Sequence, residues 1–246
     1  MINDWVFAHK ERPEAEVRLL CFPYGGAGAS IYKGWERFLP ETIELCAIQL
    51  PGRENRMSEG LIYDADLITE RLWNEAPQWL FDKPVAIFGH SMGAVLGYYL
   101  TCRLQATEPV NEVRRLFISA AKTPLQVARK DPLLTLSDDQ FLKQVQELSD
   151  AAAPGARIQG WADCVRLLRN DFTLCENAVQ QHSAPLSVPM TVLYSEDDLL
   201  VSPDECERWS LFSKHPTNTF AVSGSHLFLK KTPSLIVKII SSQLGL

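Results

Sequence analysis

The stretch Val85-Ala86-Ile87-Phe88-Gly89-His90-Ser91-Met92-Gly93-Ala94-Val95-Leu96-Gly97-Tyr98-Tyr99-Leu100 decides how this chain is read. It opens on a short apolar run of strand character, passes through G-x-S-x-G, and continues as an apolar segment of helical character. A strand that turns into a helix within so few residues needs a strained backbone at the turn. Side chains at positions 89 and 93 would collide with the neighbouring strand and helix, which accounts for glycine at both. Such a turn holds the Ser91 hydroxyl clear of a sheet, at a helix N-terminus. A lone G-x-S-x-G also arises by chance. The rest of the chain has to supply a base, an acid and oxyanion donors in a workable order.

The flanking sequence alternates in the same way. Strand candidates are Val17–Phe22, Leu45–Leu50, Val85–Phe88, Leu116–Ala120, Met190–Tyr194 and Asn218–Val222. They are short and apolar on both faces, as strands of a parallel sheet covered on both sides are. Helical patterns fall between them. Asp64–Leu80 places Leu67, Ile68, Leu72, Trp73 and Ala76 on one face. Ser202-Pro203-Asp204-Glu205 carries a cap, a proline at the first helical position and a glutamate at the third, and Thr232-Pro233 opens a last helix similarly. The expected fold is a single α/β domain over residues 1–246, with a mostly parallel, doubly wound sheet.

One region breaks the alternation. About seventy residues separate the strand candidates ending at Ala120 and starting at Met190, far more than one crossover needs. They read as two helices. Ser137-Asp138-Asp139-Gln140 forms a capping box leading into Phe141, Leu142, Val145 and Leu148. The second helix covers roughly 162–180, with Val165, Leu168, Phe172 and Cys175 at apolar positions. Ala151-Ala152-Ala153-Pro154-Gly155 joins them as a hinge. The expectation is an insertion at about 123–186 that lies as a lid over the C-terminal edge of the sheet, where ligands bind in open α/β sheets; an ordinary extra helical layer is the alternative.

Composition narrows the function classes. The chain has 246 residues, 46% of them hydrophobic and 22% charged, and a net charge of −6. That balance argues against nucleic acid as a partner. No apolar run reaches membrane-spanning length, and the start Met1-Ile2-Asn3-Asp4-Trp5 lacks the basic and apolar regions of a signal peptide. Six cysteines form no C-x-x-C and show no zinc-ligand spacing with histidine. They read as buried free thiols of a cytoplasmic protein.

In the α/β-hydrolase order, the nucleophile is followed by an acid and then a histidine. His226, in Ser223-Gly224-Ser225-His226-Leu227-Phe228, follows the last strand candidate on the same sheet edge as Ser91 and is the expected base. Ser195-Glu196-Asp197-Asp198-Leu199-Leu200-Val201 follows the preceding strand and resembles G-x-x-D-x-x-V, with Ser195 in place of glycine. That register points to Asp198 as the acid, with Asp197 the runner-up. The acid fixes the imidazole tautomer and stabilises the imidazolium formed when Ser91 loses its proton. Pro23-Tyr24-Gly25-Gly26-Ala27-Gly28-Ala29-Ser30 follows the first strand, and its small residues admit a developing oxyanion. The expected donors are the backbone N–H groups of Gly25 and Met92.

With these residues in place, the chain resembles a family: the external, type II thioesterases that accompany non-ribosomal peptide and polyketide synthases. Phe22-Pro23-Tyr24-Gly25-Gly26 is similar to F-P-Y-A-G-G, and Leu50-Pro51-Gly52-Arg53-Glu54-Asn55-Arg56 to L-P-G-R-x-x-R. Gly89–Gly93 is the family's G-H-S-M-G. Leu168-Arg169-Asn170-Asp171-Phe172 resembles L-R-A-D-F, and Gly224-Ser225-His226-Leu227-Phe228 resembles G-G-H-F-F. The chain departs around Leu148-Ser149-Asp150-Ala151, which lacks L-G-G-T-P, and at Ala178, where tyrosine is common. The integrated thioesterase domains of the same synthases commonly place the acid after the strand that follows the nucleophile helix. Here that position reads Ser119-Ala120-Ala121-Lys122, without a carboxylate.

The resemblance implies hydrolysis of acyl groups from the phosphopantetheine thiol of acyl or peptidyl carrier domains, clearing misprimed or stalled carriers. It implies Tyr24, Gly26, His90 and Phe172 as residues at the substrate, a monomer, and no need of a metal or bound cofactor. Basic positions such as Arg53, Arg56, Arg114 and Arg115 are candidates to meet an acidic carrier domain, with solvated surface the plainer reading of any single arginine. A general esterase or acyltransferase, or a catalytically silent binding protein on the same scaffold, are the competing readings.

Overall fold

The structure, a computed structural model, describes residues 4–7, 10–107, 112–127, 131–149, 160–178 and 185–246. Among them, seven strands form one sheet: β1 (Val6–Phe7), β2 (Val17–Phe22), β3 (Ile43–Ile48), β4 (Val85–His90), β5 (Val113–Ser119), β6 (Met190–Tyr194) and β7 (Asn218–Ala221). Their order is β1-β3-β2-β4-β5-β6-β7, and every pairing is parallel except the antiparallel β1–β3 edge. β2, β3 and β4 are buried at every position, because both faces of the sheet are covered. Successive residues go to opposite sides. Leu20, Phe22 and Ile87 join one core, and Leu19, Cys21, Ala86 and Phe88 the other.

The helices are α1 (Ala65–Glu75), α2 (Met92–Ala106), α3 (Pro124–Val127), α4 (Asp138–Ser149), α5 (Trp161–Asn177), α6 (Pro203–Glu207) and α7 (Pro233–Leu244). Asp64 caps α1 by accepting from the Asp66 and Leu67 N–H groups, and Ser202 and Glu205 close a reciprocal capping box on α6. No helix among the described residues is long and apolar enough to cross a membrane.

Three sequence expectations need correction. The helix expected over Asp64–Leu80 stops at Glu75, because Ala76 precedes Pro77 and is pushed into extended backbone at ψ 154°. Leu67, expected on its buried face, is exposed. β3 spans Ile43–Ile48, two residues before the predicted Leu45–Leu50. Gln49 and Leu50 are as buried as a strand, so apolar character did not mark where pairing ended. β1, only two residues long, left no periodic signal.

The topology positions the site. After β2 the chain steps outward to β3, and after β4 it steps the opposite way to β5. Between the C-terminal ends of β2 and β4 the winding reverses, which is where open α/β sheets leave a crevice. The Gly25 loop leaves β2 there and Ser91 leaves β4 there. Between β5 and β6 lie α3, α4 and α5. α4 and α5 share a small core of Phe141, Leu142, Val145, Cys164 and Val165, separate from the two sheet cores. The predicted hinge at 151–155 lies outside the described residues.

Candidate active site

Ser91 sits between β4 and α2 at φ 54° and ψ −121°, a conformation that costs a non-glycine residue about 1–3 kcal/mol. Its N–H donates to the Ser119 carbonyl at 2.7 Å, which fixes the turn against β5. The two glycines are required by contact. A Cβ on Gly89 would lie 2.1 Å from the Gly93 carbonyl oxygen, and one on Gly93 would lie 2.3 Å from that of Phe22. The turn packs helix on strand so closely that only hydrogen fits at either position.

Ser91 Oγ lies 3.0 Å from His226 Nε2, and His226 Nδ1 lies 2.8 Å from Asp198 Oδ2. Ser91 therefore donates to the imidazole, and the imidazole donates to the carboxylate. Asp198 Oδ1 accepts from the Leu200 and Val201 N–H groups at 2.8 and 3.1 Å, so both carboxylate oxygens are held. Asp197, the runner-up, points into solvent. Ser195, the departure from the glycine of the acid motif, donates its hydroxyl to the Gly224 carbonyl and ties the acid loop to the base loop.

His90 takes a different place from the one expected. It is fully buried and does not line the cavity at Ser91. Its Nε2 lies 2.8 Å from the His226 carbonyl, and its Nδ1 lies 2.9 Å from Ser119 Oγ. A carbonyl only accepts, so the proton sits on Nε2 and Nδ1 accepts from the serine. Burial, with His226 adding to it, holds His90 well below the usual imidazole range and keeps it neutral. His90 thus fixes the backbone of His226 from outside the cavity.

A cavity of about 370 Å³ opens at the triad. Ser91, Met92, Val95, Ala120, Ala121 and His226 form its floor, and Leu199–Val201 one wall. Leu133, Leu148, Phe172 and Cys175 close it from the insertion. Phe172 stacks edge-on against Phe141 of α4 at 5.4 Å. Burial raises the Cys175 thiol and keeps it protonated, and Asp171 and Asp131, which also line the cavity from the insertion, add to that shift. Gly25 and Met92 both line the cavity beside Ser91. Met92 is the first residue of α2, so its N–H has no partner within the helix. Tyr24 and Gly26 do not line the cavity. Tyr24 stands beside His90 under Lys230, and the Gly26 N–H donates to Asp171 at 2.7 Å.

The four arginines read as a partner surface do not form one. Arg53 and Arg56 are 3% and 4% exposed and are paired with Asp171 and Glu59. Arg114 and Arg115 begin β5, at the opposite edge of the sheet from Ser91. After β5, where integrated domains would carry their acid, Ala120 and Ala121 are buried and Lys122 pairs with Glu205 at 3.2 Å. The residue that sequence reasoning missed is Asp171. Its signal was a carboxylate at an inward position of α5 within the L-R-x-D-F stretch.

Comparison with known proteins agrees with this geometry. The family described as thioesterase domain matches residues 17–244. The chain is 31% identical to the gramicidin S biosynthesis protein GrsT of Aneurinibacillus migulanus, over 100% of this chain and 95% of that protein. The structure of RedJ, the thioesterase of the prodiginine pathway of Streptomyces coelicolor, superposes with a TM-score of 0.82 at 26% identity, over 95% of this chain and 92% of that one. The type II thioesterase BorB of the borrelidin cluster does so at 0.82 and 25% identity, over 100% and 98%. An α/β-hydrolase sheet and a match over nearly its whole length lead to one conclusion: the chain belongs to the thioesterase family, among its type II members.

Proposed function

We propose that the protein hydrolyses acyl groups from the phosphopantetheine thiol of acyl or peptidyl carrier domains, through an acyl-enzyme on Ser91. The observation that carries this reading is the hydrogen-bonded run Ser91–His226–Asp198 at the floor of a cavity lined mainly by apolar side chains, with Lys122, Asp131 and Asp171 also on its lining, in a chain of thioesterase descent. The names of the relatives, which refer to gramicidin S, prodiginine and borrelidin biosynthesis, support carrier domains as the source of substrate.

The steps follow from the geometry. Ser91 transfers its proton to His226 Nε2 as Oγ attacks the thioester carbonyl. The oxyanion of the tetrahedral intermediate is held by the Gly25 and Met92 N–H groups, with the N-terminus of α2 adding its partial positive charge. Collapse breaks the C–S bond, and the departing sulfur takes the proton from His226. Thiols have a pKa of about 8.5, so this leaving group departs readily. Water then gives a proton to His226 and attacks the acyl-serine, and collapse releases the carboxylic acid and restores Ser91. Every step is carried by side chains and backbone N–H groups of this chain.

The insertion acts as a lid, admitting the pantetheine arm between α5 and the sheet edge. In this reading a monomer is the acting unit. Six free thiols suit a reducing compartment such as the cytoplasm. The test is a turnover panel of acyl-carrier thioesters against p-nitrophenyl and other oxygen esters, with Ser91→Ala as control. Carrier thioesters should be turned over faster, and only with Ser91 present. Much faster turnover of oxygen esters would point to a general esterase and sink the proposal.

A further inference from the structure

Two stretches that the steps above leave unused, Leu50–Arg56 and Leu168–Phe172, meet beside the oxyanion loop. Arg53 donates through Nη1 to Asp171 Oδ2 at 2.8 Å and through Nη2 to Asp171 Oδ1 at 2.9 Å. The Arg53 and Asp171 side chains are 3% and 0% exposed. Removing an ion pair from water costs several kcal/mol per ion, and apolar residues often replace such pairs without loss of stability. A fork-on-fork pair is, however, a strong device for fixing orientation.

What it orients is the loop after β2. The Gly26 N–H donates to Asp171 Oδ2 at 2.7 Å, and Arg53 Nη1 donates to the Ala27 carbonyl at 3.1 Å. Gln49 continues the frame by accepting from the Ala29 N–H at 2.7 Å and donating to the Arg53 carbonyl at 2.9 Å. On the other side of Gly25, the Tyr32 hydroxyl donates to the Phe22 carbonyl at 2.5 Å. Gly25 is bracketed between these anchors. Gly26 itself sits at φ +79°, and a Cβ there would lie 2.6 Å from Leu168 of α5, so the loop and the helix are in direct contact.

The pair also has an electrostatic consequence. Asp171 lines the same cavity as Ser91, Gly25 and Met92, and a Cβ on Gly25 would lie 4.0 Å from its Oδ2, so the carboxylate adjoins the oxyanion loop on the side of the cavity. An unpaired carboxylate there would oppose the negative charge of an oxyanion. With Arg53 across both oxygens, the pair is neutral.

We infer that Arg53 and Asp171 are positioning residues for the oxyanion hole: the pair holds the Gly25 loop in its donating geometry and makes that geometry depend on α5 being seated. This rests on the thioesterase mechanism proposed above. Asp171 belongs to the insertion by chain position and serves the sheet edge by contact. Displacement of α5 would release the loop and dismantle the hole together with the closed cavity.

The test uses full-length variants assayed on acetyl- and octanoyl-N-acetylcysteamine thioesters, with Ser91→Ala and thermal unfolding as controls. Arg53→Met with Asp171→Leu leaves a neutral pair without an acceptor for Gly26. Its kcat should fall about 10- to 100-fold, short of the full loss of one oxyanion donor. Its KM should change less than about threefold, and its affinity for an alkyl trifluoromethyl ketone should weaken in proportion to kcat. Arg53→Met with Asp171→Asn is also neutral and keeps an acceptor, and should regain most of the lost kcat. Arg53→Met alone, with its bare carboxylate, should be slower than that second double variant even if the leucine variant fails to fold. A folded leucine variant with kcat within about twofold of wild type, or a loss carried wholly by KM, overturns the inference. So does equal activity of Arg53→Met and its asparagine double. A wild type without Ser91-dependent thioester hydrolysis overturns the mechanism beneath the inference, and the inference with it.

Discussion

The floor and the roof of the cavity are built on different terms. The floor residues Ser91, Met92 and His226 sit at the ends of strands whose positions are set by the sheet and by its two large cores. The roof residues Leu133, Leu148 and Phe172 come from the insertion, and α4 packs into a core of only five buried side chains. Arg169 of α5 ties α4 down by donating to Asp138, and holds the segment that precedes α4 through the Leu134 and Leu136 carbonyls. The helix α5 itself is anchored below, through Leu174 in the main core, Asn170 to the Ile62 carbonyl and Asp171 to Arg53. Chemistry therefore rests on the rigid part, and substrate fit on the part with fewer buried contacts.

If that division is right, substitutions in the floor act alike on every acyl chain. Ser91→Ala should lower kcat by roughly 10⁴-fold or more on all thioesters, since it removes the nucleophile. Single-turnover assays with short and long acyl chains measure this; a loss confined to one chain length would break the comparison. Next, Asp198→Asn should cost roughly 10³- to 10⁴-fold by disturbing the imidazole tautomer, while Asp197→Asn stays within about twofold. Steady-state kinetics of the two variants side by side decide between the neighbouring carboxylates.

Substitutions in the roof should sort substrates instead. Phe172→Ala enlarges the cavity where Phe172 meets Phe141. It should raise kcat/KM for a medium acyl chain relative to acetyl by about tenfold, because apolar pockets discriminate at roughly 1–3 kcal/mol per methylene. Competition between acetyl and octanoyl thioesters reads the ratio. An equal drop for both would place Phe172 with the floor.

The smallest effect concerns His90, beneath the floor. Its folded-state pKa lies below the ordinary 6.5. Below that pH the unfolded chain binds a proton that the folded chain refuses, so stability falls as pH drops, by up to about 1.4 kcal/mol per pH unit. Above it His90 is neutral in both states and contributes no slope. His90→Asn should be less stable at neutral pH and show a shallower acid loss between pH 6.5 and 5, by urea unfolding followed across that range. An unchanged slope would mean that His90 is not held neutral by burial.

Most of the floor was legible before any coordinates. G-x-S-x-G after an apolar run, Asp198 and His226 after later strands and the small residues after β2 are local patterns, each set by sterics within a few residues. The insertion was legible as two amphipathic helices at the C-terminal edge of the sheet, but the contacts that seat them were not. His90 and Asp171 show why. His90 sits inside the catalytic motif, and only the packing of β4 against β5 and the His226 loop placed it outside the cavity. Arg53 and Asp171 are 118 residues apart in sequence. As single letters, the arginine read as surface, and the aspartate stood in a family motif with no role assigned to it.

By itself, then, the sequence determined the strand–helix alternation, the nucleophile turn, and the order of acid and base, because backbone sterics and hydrophobic periodicity act over short stretches of chain. Which charges are buried, which carboxylate faces the imidazole, and which helix holds the oxyanion loop were decided only by the tertiary structure. Those outcomes depend on desolvation and on hydrogen-bond partners that the fold brings together from distant parts of the chain.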